Sequence, residues 1–135
     1  MSEPQRPLPE PTQLTAPYWN AARDKRLVVQ CCQGCGHLQF FPRPFCLKCA
    51  SERIDWQEVT GEGTIYTFTI NHRAPNAFMK ERLPYAVAIV DLDEGVRMMA
   101  NIVNSDLAAI EIGKRVKVVF ERVSGEIVLP QFELV

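Results

Sequence analysis

Four cysteines constrain this chain more than any other feature. They read Cys32-Gln-Gly-Cys35, a ten-residue gap, then Cys46-Leu-Lys-Cys49. Each C-x-x-C pair is a tight turn that points two sulfurs inward, and two such turns in one short stretch form a tetrahedral thiolate site. Gly36, directly after Cys35, lets the backbone curl back so that N–H groups face a sulfur. Four thiolates with no open position describe a structural metal, with zinc expected and iron as the alternative, because a rubredoxin-like cage accepts either.

Two other uses of these cysteines fit less well. Two disulfides would suit an oxidising compartment, but no signal peptide precedes the cysteines, and cytosolic thiols stay reduced. A thioredoxin-like redox centre needs one C-x-x-C opening a helix, whereas here there are two, set among Gly and Pro. Cys31 is the fifth thiol. The regular spacing starts at Cys32, so Cys31 is expected to be a spectator. His37 follows the first pair, but four thiolates already fill the site, which leaves His37 as a surface residue.

At 135 residues the chain is one domain or two small modules. A metal turn can stabilise a module too small to bury its own core. No apolar run approaches a membrane span, and the cytoplasm is the expected location. Residues 1–55 carry 7 basic and 5 acidic side chains, a balance of +2; residues 56–135 carry 8 and 11, a balance of −3. A dedicated nucleic-acid binder should present a basic surface, and the larger half of this chain does not.

Along the chain, residues 1–11 hold four prolines and read as an extended or floppy arm. A helix follows, with Thr15 as the expected N-cap, Pro17 in the first turn, and Tyr18, Trp19 and Ala22 on one face up to about Asp24. These two aromatics need cover, either from the domain's own core or from a partner. Leu27–Gln30 is a strand that feeds the first cysteine pair. His37–Phe45 forms the hairpin and exit loop, and Arg43 stands between Pro42 and Pro44. A guanidinium on so stiff a backbone suits a phosphate or carboxylate.

From Trp56 onward the pattern is one of strands. Gly61-Glu62-Gly63 is a turn or bulge, and Thr64–Ile70 alternates, with Tyr66, Phe68 and Ile70 expected on one face. Asn71–Leu83 is a long polar loop. Tyr85–Val90 is a central strand, Asp91–Gly95 a hairpin turn, and Val96–Val103 pairs back. Asn104–Ile112 is a connector with one helical turn at Asp106–Ala109. Arg115–Phe120 places Val116, Val118 and Phe120 on one face. The last strand, about Glu126 to Leu134, contains Pro130, which demands an edge or bulge. Five strands joined by turns and one connector fit a small Greek-key barrel of the OB type, as they would another small barrel or sandwich.

The sequence holds no catalytic set. It has no G-x-S-x-G, no glycine-rich phosphate loop and no H-E-x-x-H. The most suggestive cluster is Asn71-His72-Arg73, with Lys80 and Arg82 on the same loop and Phe68 and Phe78 nearby. Such a cationic loop on a rigid barrel suits a phosphate-bearing ligand with an apolar tail. His72 as a general base lacks a visible orienting carboxylate.

At this point the chain resembles a known family: acyl-CoA-associated proteins that pair a rubredoxin-like zinc ribbon with an OB-fold, formerly a domain of unknown function. The resemblance is carried by Leu27–Gln30, Cys32–His37, Phe41-Pro42-Arg43, Cys46–Cys49, Gly61–Thr69, Pro84–Val90 and Ile112–Val116, and it runs from about Tyr18 to the C-terminus. It implies a mainly β chain with three parts: a Pro-rich arm and short helix over 1–26, a zinc ribbon over 27–55, and a five-stranded OB-type barrel over 56–135. It also implies a non-catalytic accessory subunit in a hetero-oligomer. Such subunits sit against a thiolase, ketoacyl-CoA synthase or thiolase-fold acyl-CoA aldolase, and sometimes a MaoC-type hydratase. They help form or shield the acyl-CoA site. The Cys31-Cys32 doublet departs from the family's single cysteine. Family likeness does not fix the CoA contacts; on physical grounds Arg43, Arg73 and Lys80 are the expected phosphate partners. A single-stranded nucleic-acid module is the alternative reading, since ribbons and OB barrels both serve in that role.

Overall fold

The computed structural model describes residues 6–135. Helix α1 (Ala16–Arg23) leads into a three-stranded ribbon sheet, in which β1 (Leu27–Cys32) lies between β2 (Leu38–Gln39) and β3 (Ile54–Val59). The remaining strands are β4 (Glu62–Asn71), β5 (Tyr85–Leu92), β6 (Arg97–Ile102), β7 (Arg115–Arg122) and β8 (Val128–Leu134). They close into a five-stranded barrel in the order β4-β5-β6-β8-β7, with β4 also pairing β7. This mainly β architecture is the one expected. Strand β3 runs across the expected 55/56 boundary and pairs along all of β1, from Leu27↔Val59 to Cys32↔Ile54.

Thr15 occupies the N-cap position of α1, but its hydroxyl does not cap that helix. It pairs instead with Thr12. The Thr12 N–H donates to Thr15 Oγ1 at 2.9 Å, and the Thr15 N–H donates to Thr12 Oγ1 at 3.1 Å. This is the reciprocal geometry of a capping box, set one turn earlier than the sequence suggests. At the other end, Lys25 takes φ 59°, the Lys25 N–H bonds to Ala22 O, and the Arg26 N–H bonds to Ala21 O. That is a Schellman stop with lysine where glycine is usual.

Ribbon and barrel share one core. Tyr18, Leu27, Val29 and Val59 form a continuous cluster with Ile65, Val90, Val116 and Phe132 of the barrel. The two helix aromatics divide their roles: Tyr18 is buried in this core, while Trp19 packs partly buried at its margin.

In β4 the expected single face of Tyr66, Phe68 and Ile70 does not form. The register with β5 shifts between Ile65 and Thr67, so Ile65 faces the core before the bulge, and Phe68 and Ile70 face it afterwards. The extra residue inverts the inward parity and leaves Tyr66 exposed, with the Arg97 guanidinium stacked 3.7 Å from its ring centroid. Gly63 pairs with both Leu92 of β5 and Val116 of β7. Val116, Val118 and Phe120 do share the core-facing side of β7.

Closure between β6 and β8 rests on one parallel pair, Ile102↔Phe132. The Gln131 side chain extends this seam by accepting the Asn101 N–H at 3.0 Å. Pro130 stands opposite Phe120 in the register with β7 and, on its other side, borders a groove instead of a ladder, as a strand proline requires. The Asn71–Leu83 loop contains one helical turn, α2 (Ala77–Lys80), capped by the Asn76 side chain on the Met79 N–H. The expected turn after Asp106 is present as a 3-10 segment, Leu107–Ala109. The Phe40–Phe41 and Leu83–Pro84 peptide bonds are cis. The described part of the N-terminal arm is held down: Arg6 makes a 3.0 Å ion pair with Glu121 on β7. The first five residues of that arm lie outside the described residues. Among the described residues, no helix is long and apolar enough to cross a membrane.

Candidate functional site

The four expected cysteines converge. The Sγ atoms of Cys32, Cys35, Cys46 and Cys49 all lie within 4.8 Å of one another. Two edges of this cluster, Cys32–Cys49 and Cys35–Cys46, measure 3.6 and 3.7 Å. A tetrahedron with metal–sulfur bonds of about 2.3 Å has edges of about 3.8 Å, so the donor set fits one tetrahedral ion. Cys32 and Cys46 are buried, while Cys35 and Cys49 are exposed. The Cys31 sulfur is not part of the group.

The two cysteine turns are built alike. In the first, the Gly36 N–H bonds to Cys32 O and the Gly34 N–H points at Cys32 Sγ from 3.3 Å. In the second, the Ala50 N–H bonds to Cys46 O and the Lys48 N–H points at Cys46 Sγ from 3.3 Å. The backbone N–H of Cys35, aided by that of Gly34, brings the Cys32 thiol down to about 6 against the opposing effect of burial. Burial pushes Cys46 upward, but the N–H groups of Cys49 and Lys48 outweigh it and leave the thiol below its ordinary value. The Ser51 N–H favours the Cys49 thiolate, yet hydrogen bonds to Cys32 and Cys35 hold its proton, and its value rises to about 12. Sulfurs this close compete for one another's protons. A central cation removes that competition by favouring all four thiolates.

Above the cage, two buried carboxamides join the ribbon's strands to its exit loop. Gln30 Oε1 accepts the Arg43 N–H at 2.8 Å, and Gln30 Nε2 donates to Arg43 O at 2.9 Å. Gln39 Nε2 donates to Gln30 Oε1 at 2.8 Å and to Phe45 O at 3.1 Å, while Gln39 Oε1 accepts the Leu47 N–H at 3.0 Å. Sequence reading missed this pair. In a short strand, a glutamine that staples a loop looks the same as one facing solvent.

The Arg43 side chain opens onto a groove of about 600 Å³ between ribbon, helix and barrel. Trp19, Phe40 and Phe41 form one wall, and Met98, Met99 and Pro130 the other. Phe41 and Met99 are exposed at its rim. Arg97 also borders it, but this guanidinium is committed to Asp91 and to the Tyr66 ring. Arg43 has no carboxylate within ion-pair distance among the described residues.

Arg73 and Lys80 lie elsewhere. With His72, Pro75, Asn76 and Leu83 they line a separate cavity of about 420 Å³ in the Asn71–Leu83 loop. Among the described residues no carboxylate lines that cavity, so none of them orients His72 there. Arg82 leaves the cluster: it pairs with Glu121 at 3.4 Å and stacks on Phe78 from one side, with Arg6 on the same ring at 5.1 Å. His37 is half-buried, and its carbonyl accepts the Cys32 N–H.

Comparison with known proteins agrees with this construction. Residues 19–55 match the ChsH2 rubredoxin-like zinc ribbon domain, and residues 56–121 match the ChsH2 C-terminal OB-fold domain. A DUF35 domain-containing scaffold protein of Methanocaldococcus jannaschii is 36% identical over 97 residues, covering 70% of this chain and 67% of its own. A probable enoyl-CoA hydratase alpha subunit of Thermomonospora curvata is 35% identical over 94% of this chain; the chain spans only 39% of that relative's length. A solved structure, the Ltp2-ChsH2(DUF35) aldolase, superposes with a TM-score of 0.83 at 34% identity, covering 94% of this chain and 98% of the matched one. This chain therefore belongs to the DUF35 family, in the ChsH2 form that joins a rubredoxin-like zinc ribbon to an OB-fold.

Proposed function

We propose that the chain is a non-catalytic accessory subunit of a cytoplasmic acyl-CoA-processing complex. It docks on a thiolase-fold enzyme, whether a thiolase, a ketoacyl-CoA synthase or an acyl-CoA aldolase, and helps form or shield that enzyme's acyl-CoA site. The observation that carries this reading is Arg43, unpaired among the described residues and set between two prolines at the mouth of an aromatic groove. Apolar walls suit an acyl or pantetheine chain, and the guanidinium suits a phosphate. Arg73 and Lys80 provide a second cationic cavity for the CoA phosphates.

Zinc is the proposed metal. Four protein thiolates fill a tetrahedral shell, so the ion holds the ribbon together and leaves no position for substrate. The names of the relatives, scaffold protein and hydratase alpha subunit, and the aldolase structure support a hetero-oligomeric role. A nucleic-acid role has less behind it, because Arg82, Arg97, Arg115 and Lys117 on the barrel are all paired with carboxylates. The test is reconstitution. The partner enzyme should lose most of its acyl-CoA turnover when this chain is stripped away and regain it when the chain is returned. A partner that is fully active alone and never associates would overturn the proposal.

A further inference from the structure

We infer that Gln30 and Gln39 are positioning residues that tie metal occupancy of the cage to the presentation of Arg43. Residues 41–45 make no backbone–backbone hydrogen bond among the described residues. Pro42 and Pro44 have no N–H to offer. The segment is held instead by side-chain amides, and Gln30 alone satisfies both the N–H and the C=O of Arg43. Gln30 is 2% exposed and Gln39 5%, so neither has water as a substitute partner.

The chain of contacts leads directly to the metal ligands. Gln39 grips Phe45 O and the Leu47 N–H, the residues on either side of Cys46. A metal that fixes Cys46 fixes those two anchors, which orient Gln39; Gln39 then orients Gln30 through Gln30 Oε1. The central link between the two glutamines is buried, and every link is a directional hydrogen bond of 3.1 Å or less, as a relay of position requires. When the cage empties, the second cysteine turn loosens, the Gln39 anchors move, and Arg43 loses its fixed backbone. The groove is thus competent only when the cage is filled. The consequence for ligand binding rests on the reading of Arg43 given above; the positional link itself does not.

The experiment is residue-resolved amide hydrogen exchange on the full chain, with cobalt-substituted protein as a reporter of the cage. In Gln30→Met the cobalt–thiolate absorption should match wild type, because all four thiolates remain. Its Arg43 amide should exchange at least tenfold faster. Chelation of the wild-type protein should release the same amide. Should Gln30→Met fail to fold, Gln39→Met tests the same link, again at the Arg43 amide, which Gln39 reaches through Gln30. Unchanged exchange at Arg43 in Gln30→Met, or full protection of Arg43 after chelation, would overturn the inference. Coenzyme A titration separates it from the proposed function. If Arg43→Ala binds coenzyme A as wild type does while the exchange results hold, the ligand reading fails and the relay stands; if both Arg43→Ala and Gln30→Met weaken binding, both stand.

Discussion

Gly36 and Ala50 hold the same station in the two cysteine turns. Each directly follows the second cysteine of its pair, with φ of 77° and 65°, and each donates its N–H to the first cysteine's carbonyl. One is the residue such a backbone favours, and the other carries a Cβ into the left-handed region. That conformation costs an L-residue about 1–2 kcal/mol, part of which is offset by the smaller unfolded-state entropy of alanine. Ala50→Gly should therefore stabilise the protein by about 0.5 kcal/mol, and Gly36→Ala should destabilise it by about 1 kcal/mol. Urea unfolding of the metal-loaded protein measures both.

Gly63 poses a different constraint. A Cβ there would sit 2.4 Å from Asp91 O and 2.8 Å from a Val90 methyl. The obstacle is backbone of a paired strand, which has little freedom to retreat. Gly63→Ala should cost about 3 kcal/mol, the upper end of overpacking effects. Gly125→Ala, with nothing within 4 Å, should lie within about 0.5 kcal/mol of wild type in the same unfolding measurement.

Glu121 anchors the N-terminal arm through Arg6 and the Asn71–Leu83 loop through Arg82. Partial burial raises its carboxyl, but the Arg6 and Arg82 guanidinium groups more than offset this, and its value falls below 4.5. A depressed carboxylate contributes stability that is full above the unfolded value of 4.5 and is lost as pH falls through the lower folded value. Solvent-screened pairs of this kind contribute roughly 0.5 kcal/mol. Limited proteolysis should find the arm protected at pH 7 and cleaved faster below pH 4.5. Glu121→Gln should show the fast cleavage at both.

Four of the five cysteines are positioned to hold a metal, and one stands outside the group. Cys46→Ala should abolish metal binding and loosen the second cysteine turn, since the binding free energy of such a site is part of the folding free energy of the segment it closes. Cys31→Ala should keep one metal per chain, because the Cys31 sulfur stands outside the cluster. Metal analysis of the two purified variants checks both.

The cage was legible because spacing alone dictates it: two C-x-x-C turns have few ways to arrange four sulfurs. The barrel strands were legible from alternation, and the helical turn after Asp106 from its local signals. The errors came where one residue changes parity or a partner lies out of sight. The bulge between Ile65 and Thr67 turned Tyr66 outward, and no hydrophobic pattern announces an extra residue. The cap moved from Thr15 to Thr12 because two threonines three apart can each serve. The groove joins Trp19 to Pro130, and Gln30 reaches Arg43 across a loop. Such contacts belong to the tertiary structure and leave no local trace.

On the proposed function, this chain docks and does not react. Native mass spectrometry of the protein isolated from its own cells, under conditions that preserve complexes, tests it most directly. The expected result is a hetero-oligomer with a larger acyl-CoA-processing enzyme and one tetrathiolate-bound metal per copy of this chain. A solitary, metal-free chain that nonetheless converts an acyl-CoA would contradict it.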